Sequence, residues 1–518
     1  MEPLIRLSSL DIGVIVIYFV ILCIIAYWSS FSKKNRSSNL FLANKSLGWF
    51  AIGLTMWGTN VGPSMLIANA SSGYETGVVA GNFSWYAFPF ILMLAVVFAP
   101  RYLGAKVTTL PEYMGERFGD TTRQYIAWYT IVTTLISWLG LTLFSGGVFM
   151  AQVLALPLWL CIVILVLVSA SFVISGGLKA IAYTNVFQML LLITVSFLLV
   201  VLALHRAGGV STVVEATPAS YWKLFQPLDD KDFPWLAILL GYPIMGIWFW
   251  CTDQSMVQSV LGAKSLKEGQ KGANFVAWLK LIDIPLFILP GILAFILLPT
   301  LTDSTNAYLG LVQTVFPAGL TGLVVVVMLA ALISTIGSAL NSLSTVFTMD
   351  IIKKYTPGID QKGINTIGRM VVLLGSIVSV FLAIGISSIQ GLSFFNIFQS
   401  VLGFLAPPMA VAFLFAVLWK KTSRAAVNGV LSAGTVFSLG IGLLYYSNLI
   451  FTGVHYLYVS VMIFLVLALF LVLFSLLDKK EGVPAETIGY KPVKVDRSVK
   501  IAWSVLIGVM VIVYILFN

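Results

Sequence analysis

The chain has 518 residues, 59% of them hydrophobic and only 10% charged, where an ordinary soluble chain carries about 25% charged residues. That composition excludes an ordinary soluble enzyme. The net charge of +10 would suit nucleic acid only if the basic side chains gathered on one face; they are scattered between apolar runs, so the partner is the lipid bilayer and not nucleic acid.

A bilayer-crossing helix needs about 20 mostly apolar residues, and such runs recur along the whole chain. They predict an all-α membrane protein with about fourteen transmembrane helices, near 11–30, 48–71, 78–99, 122–152, 156–176, 180–204, 234–260, 272–298, 308–350, 365–385, 388–418, 422–445, 452–478 and 500–518. The first run, Leu10 to Trp28, reads as a retained helix, since no basic cluster precedes it. The ninth is too long for one straight span, so part of it is expected outside the membrane. Loops after the odd-numbered spans hold 25 Lys and Arg against 4 on the other side, with Lys280 alone inside a span. Positive charge collects on the cytoplasmic side, which puts both termini outside a cell-membrane protein.

Two spans carry glycine and proline together. The second reads Trp57-Gly58-Thr59-Asn60-Val61-Gly62-Pro63-Ser64, and the seventh Gly241-Tyr242-Pro243-Ile244-Met245-Gly246. Such breaks free backbone groups that must find partners inside the protein or its cavity, and they mark binding sites in transporters. Lying five spans apart, they suit two inverted five-helix repeats with discontinuous first helices. The expected layout is an extra span and inner loop (1–47), a first repeat (48–204), an outer loop (205–233), a second repeat (234–418) and three C-terminal spans (419–518).

Residue supply narrows the chemistry. The two histidines, His205 and His455, have no second ligand at metal spacing, and no phosphate-cradling glycine loop is present. Cys23, Cys161 and Cys251 sit in apolar runs with no metal or redox spacing. An ion gradient is left as the energy source. Lys280 and Asp283, three residues apart, share a helix face in mid-span, where a lone charge costs at least about 2.5 kcal/mol. They read either as a self-neutralising pair or with Lys280 at a solute. Asp253 is expected to pair with a basic residue. Ser334, Thr335 and Ser338 put hydroxyls on an otherwise apolar helix, as interhelical glue or as ligands for a hard cation. Asn60, Asn185, Asn396 and Gln399 stand open between the same two roles.

At this point the residues match a family. Trp248-Phe249-Trp250-Cys251-Thr252-Asp253-Gln254, Ala263-Lys264-Ser265, Leu279-Lys280-Leu281, Leu110-Pro111-Glu112-Tyr113, Ser175-Gly176-Gly177-Leu178, Phe347-Thr348-Met349-Asp350 and Gln399-Ser400 with Pro407-Pro408 together resemble the sodium/glucose cotransporter branch of the solute:sodium symporters. The similarity runs from about residue 10 to 425. It implies sodium-coupled import of a small polar solute by alternating access, the solute being a sugar or sugar derivative, with sodium as the co-transported ion. Carried over by position, sodium would bind the carbonyls of Gly58, Val61 and Ala331 and the hydroxyls of Ser334 and Thr335. The solute would meet Asn60, Met65, Ser84, Phe249, Trp250, Lys280 and Gln399. The chain departs from the hexose carriers it resembles at Ser84, where they have glutamate, at Met65, where they have histidine or glutamine, and at Gly246, where they have a polar side chain. Glucose and galactose are therefore not expected as the preferred solutes, and a sugar acid or a polyol stays open. Asn185 stands where some relatives use aspartate for a second sodium, and Gly337 lacks a hydroxyl, so one sodium per solute is expected. A sodium-insensitive sensor or channel is the competing class, and an enzyme is not expected.

Overall fold

The computed structural model describes residues 7–31, 39–317, 319–356, 358–387, 394–478, 482–484, 487 and 495–518, with side chains at 29–31, 63–64 and 394–401 outside the description. The described residues are helical throughout, with no strand beyond isolated bridges at Leu47–Ala263 and Gln226–Pro234. The long helices are α1 (Ser9–Phe31), α2 (Trp49–Asn60), α3 (Pro63–Thr76), α4 (88–104), α5 (Asp120–Leu154), α6 (Leu158–Arg206), α7 (Trp235–Thr252), α8 (Gln254–Leu261), α9 (Leu266–Ile282) and α10 (Ile284–Leu297). They continue with α11 (Leu320–Tyr355), α12 (Gln361–Ser387), α13 (Phe394–Leu418), α14 (Arg424–Tyr446), α15 (Tyr456–Leu477) and α16 (Arg497–Leu516). Ten helices among the described residues are long and apolar enough to cross a membrane, and up to eleven if α9 and α10, bent by 41° from each other, form one span. That measure does not establish the expected fourteen. The fifth and sixth expected spans run into each other across a kink at Gly177, 49 residues in all, and pieces beside a break, such as the 12-residue α2, are too short alone.

The kink in α6 has a definite cause. Gly177 takes φ 56°, ψ −146°, and a Cβ there would lie 2.0 Å from the Leu40 carbonyl oxygen, which instead accepts from the Leu178 N–H at 3.0 Å. Only glycine allows both the backbone angle and the approach. The overlong ninth segment divides into a short helix, Ala307–Val315, and α11.

The first break lies where the glycine–proline pattern put it. Helix α2 stops at Asn60, Val61 turns to φ −85°, ψ 94°, and Pro63 opens α3 at the first helical position, where its missing N–H costs nothing. The second break differs from the expectation at Gly241–Gly246. The chain stays helical through Pro243, and the carbonyl four residues back, at Leu239, accepts from the Tyr86 hydroxyl at 3.3 Å. That outside donor replaces the bond proline removes. The interruption comes at Asp253, φ −81°, ψ 126°, whose carboxylate caps α8 through the N–H groups of Ser255 and Met256 at 2.8 and 3.2 Å.

Helix α11 is the centre: 94% of its most apolar window is buried, against 22% for α1 and 17% for α16, which sit at the lipid-facing edge. It packs along α6, and α1 lies across both. The broken pair α2 and α3 packs on the bent pair α9 and α10. The gap left by the breaks therefore faces the end of α9, where Lys280 stands at the bend into α10.

Candidate solute and ion site

A cavity of about 1640 Å³ enters between the loops at 228–234, 304–306 and 453–456, the face poor in basic residues, and runs inward past Asn69, Ser137 and Phe249 to Asn60, Trp250 and Lys280. Beyond this floor, described residues bridge the helices on the side of the basic loops. The Tyr102 hydroxyl donates to the Cys251 carbonyl at 2.9 Å, the Leu110 N–H to Gln254 Oε1 at 2.8 Å, and Arg123 Nε to Asp350 Oδ1 at 2.6 Å. The cavity is thus open toward one face and sealed toward the face with the basic loops.

Lys280 is 2% exposed and Asp283 1%. The Lys280 ammonium donates to Asp283 Oδ2 and to Asn60 Oδ1, each at 2.6 Å, and lies 5.1 Å from the centre of the Trp250 ring. The Trp57 indole N–H donates to Asp283 Oδ1 at 2.9 Å. The pair is therefore neutral as a unit and both carboxylate oxygens are engaged. An ammonium has three donors, so one N–H remains for a solute oxygen. Asn60, the last residue of α2 before the break, couples this cluster directly to the interrupted helix.

On the other side of that break, α2 meets α11. Gly58, Val61, Ala331 and Ser334 are buried behind the cavity wall, while Thr335 reaches its surface. A Cβ on Gly58 would lie 3.0 Å from Ser334 Oγ, so glycine lets the two helices close on each other. Thr335 Oγ1 donates to the Thr59 carbonyl at 3.3 Å, and the Oγ of Ser334, a residue 1% exposed, has no hydrogen-bond partner among the described residues. The last carbonyls of a helix have no intrahelical partner. Free carbonyls and an unpartnered hydroxyl are a neutral oxygen set suited to a hard monovalent cation.

Of the solute residues expected from the sequence, Asn60, Met65, Ser84, Phe249, Trp250 and Lys280 line the cavity; the side chain of Gln399 lies outside the described residues. Asp253 does not pair with a cation among the described residues. It accepts from the Trp138 indole at 3.1 Å and caps α8, because a helix N-terminus supplies the positive end that the carboxylate needs. Trp138 in turn stacks on Phe249, with ring centres 5.5 Å apart. Sequence reasoning missed Trp57, Asn69 and Ser137. The last two line the cavity with buried polar atoms that have no partner among the described residues. Ser137 sits in a π-helical turn of α5, Thr134–Gly140, a register shift that hydrophobic periodicity does not reveal. At the mouth, burial lowers the pKa of His455, only partly opposed by Asp232 and Asp230.

Residues 40–436 match the model of the sodium:solute symporter family. The chain belongs to that family. The symporter is 33% identical to sheep sodium/glucose cotransporter 1 over 91% of its own length and 79% of that protein, and 31% identical to human sodium/myo-inositol cotransporter 2 over 83% and 69%. Its fold is shared with a Na+-coupled sialic acid symporter captured substrate-bound and outward-open, with a TM-score of 0.79 at 18% identity, covering 92% of this chain and 99% of that one. The likeness extends to a nucleobase-cation-symport-1 family transporter, with a TM-score of 0.53. This chain is a multi-pass, sodium-coupled transporter of a small solute, and not an enzyme.

Proposed function

We propose that this symporter imports a neutral, sugar-like solute across the cell membrane, one sodium per solute, with both chain termini outside. The observation that carries the choice of solute is the self-neutralised floor of the cavity. Because Lys280 already faces Asp283 and Asn60 at 2.6 Å, an anionic solute would have to compete with a buried carboxylate for the ammonium. A neutral hydroxyl need only take the remaining N–H, while the Trp250 and Phe249 rings offer an apolar face. This favours a sugar or polyol over a sugar acid. The acidic mouth, with Asp229, Asp230, Asp232 and Glu75 against Lys231, favours approach of a cation and not of an anion.

Sodium would be held by the Gly58, Val61 and Ala331 carbonyls with the Ser334 and Thr335 hydroxyls. Coupling follows from position. An ion joining the end of α2 to α11 fixes Asn60, and Asn60 fixes the ammonium that receives the solute, so each ligand prepares the other's site. Asn185, neutral and with an amide nitrogen unpartnered among the described residues, gives a second cation no carboxylate, which supports a single sodium. One charge gains about 2.3 kcal/mol per 100 mV and a tenfold sodium gradient adds about 1.4 kcal/mol. The sum permits accumulation of a few hundredfold.

The test is a thermal-shift screen of sugars, polyols, sugar acids and small vitamins against the purified protein, in sodium and in potassium. A neutral polyhydroxyl compound should raise the melting temperature in sodium only. Stabilisation by sugar acids alone would overturn the neutral-solute reading, and equal stabilisation in potassium would overturn the sodium site.

A further inference from the structure

The mechanism above makes no use of Asp11, a carboxylate 1% exposed near the start of an apolar helix. Both of its oxygens are spoken for. Oδ2 accepts from the N–H and the hydroxyl of Ser8 at 2.8 and 2.6 Å, and the Asp11 N–H donates back to Ser8 Oγ at 3.3 Å. This reciprocal cap closes the start of α1. Oδ1 turns the other way, accepting from the backbone N–H groups of Gly319 and Gly322 at 2.8 and 2.6 Å. Those N–H groups are the unsatisfied donors at the start of α11, whose first residue is Leu320. One side chain therefore caps two helices, and its charge sits at the positive end of α11. Gly322 allows the approach: a Cβ there would lie 2.7 Å from the Asp11 Cα and carbonyl oxygen.

The consequence reaches the ion. Ser334 lies twelve residues along α11 from Gly322, about 18 Å at 1.5 Å per residue, and α11 between them is a buried, unbroken helix. A shift or rotation at its capped end is transmitted to Ala331, Ser334 and Thr335. Helix α1 lies outside both expected repeats yet packs on α6 and α11, so it can hold α11 still while the broken helix moves against it.

We propose that Asp11 is a positioning residue for sodium binding. By clamping the start of α11 to α1, it holds the α11 half of the ion site at the register that α2 must meet. The inference rests on the sodium site proposed above. The test uses purified full-length protein in detergent, titrated with sodium chloride against choline chloride at constant ionic strength and followed by intrinsic tryptophan fluorescence. Asp11→Asn keeps an acceptor for one pair of N–H groups but loses the charge and one half of the double cap; Gly322→Ala pushes α1 away without touching the carboxylate. Each should raise the half-saturating sodium concentration at least about fivefold, the low end of ordinary coupling between sites; Asp11→Asn should keep its melting temperature in choline within a degree or two of the parent, whereas the backbone contact introduced by Gly322→Ala should lower it. An unchanged half-saturation in both variants overturns the proposal, as does a lowered melting temperature in choline with no change in half-saturation. Ser334→Ala separates the two layers of argument. If it leaves the sodium response unaltered, the ion site itself is elsewhere; if it weakens sodium while the Asp11 and Gly322 variants do not, only the clamp fails.

Discussion

Lys280 and Asp283 show how a residue proposed to meet the solute can also be a structural one. Each alone would be an uncompensated, almost fully buried charge; together, with Asn60 and Trp57, they form a closed cluster. Removing one partner of a buried ion pair costs about 3 to 5 kcal/mol, whereas replacing both by apolar groups is often nearly neutral. Lys280→Met and Asp283→Leu should therefore each lower the melting temperature in detergent by several degrees, and the double variant should recover most of the loss. Solute-dependent stabilisation should be absent from all three. Single variants as stable as the parent would mean that the pair is not a buried unit. Solute binding preserved in the double variant would remove Lys280 from the site.

At the scale of single elements, the proposed ion and solute sites gather at helix ends, and glycine positions control how closely the elements meet. Gly177→Ala must either abandon φ 56° or drive a methyl into the Leu40 carbonyl. Strain of this kind costs about 1 to 3 kcal/mol, so a clear drop in melting temperature is expected. Gly337→Ala is the contrast, since its nearest neighbour would be Ile181 Cγ1 at 3.8 Å, an ordinary contact, and its melting temperature should match the parent within about a degree. Equal effects in the two variants would contradict the assigned packing. The elements also mark how far the sequence could be read. The break at Val61 was legible because Gly58, Gly62 and Pro63 act locally. The break at Asp253 was not. Pro243 is a stronger local signal, and it is neutralised only by a hydroxyl from Tyr86, 157 positions earlier in the chain. Likewise the spacing of Lys280 and Asp283 gave their pairing, but Trp57, Asn69 and Ser137 enter the site through tertiary placement that no periodicity encodes.

For the whole molecule, the arrangement is a cavity open on one side, a floor built from a neutral charge cluster, and an oxygen-rich seam between a broken helix and the most buried helix of the bundle. Composition and charge distribution made the membrane class legible, since they depend only on sums over long segments. The state of the cavity did not follow from them, because open and closed forms share one sequence and differ in packing. In this structure the path is sealed by Tyr102, Gln254 and the Arg123–Asp350 pair on the side of the basic loops, leaving access from the opposite face. The central claim is that a sodium ion at the α2–α11 seam makes solute binding at Asn60 and Lys280 favourable and so drives transport. The most direct measurement is uptake of the solute identified by thermal shift into proteoliposomes clamped at an inside-negative potential, with external sodium or with potassium in its place. Concentrative uptake that requires external sodium and rises with the potential is the predicted result; equal accumulation in the absence of sodium would contradict the account.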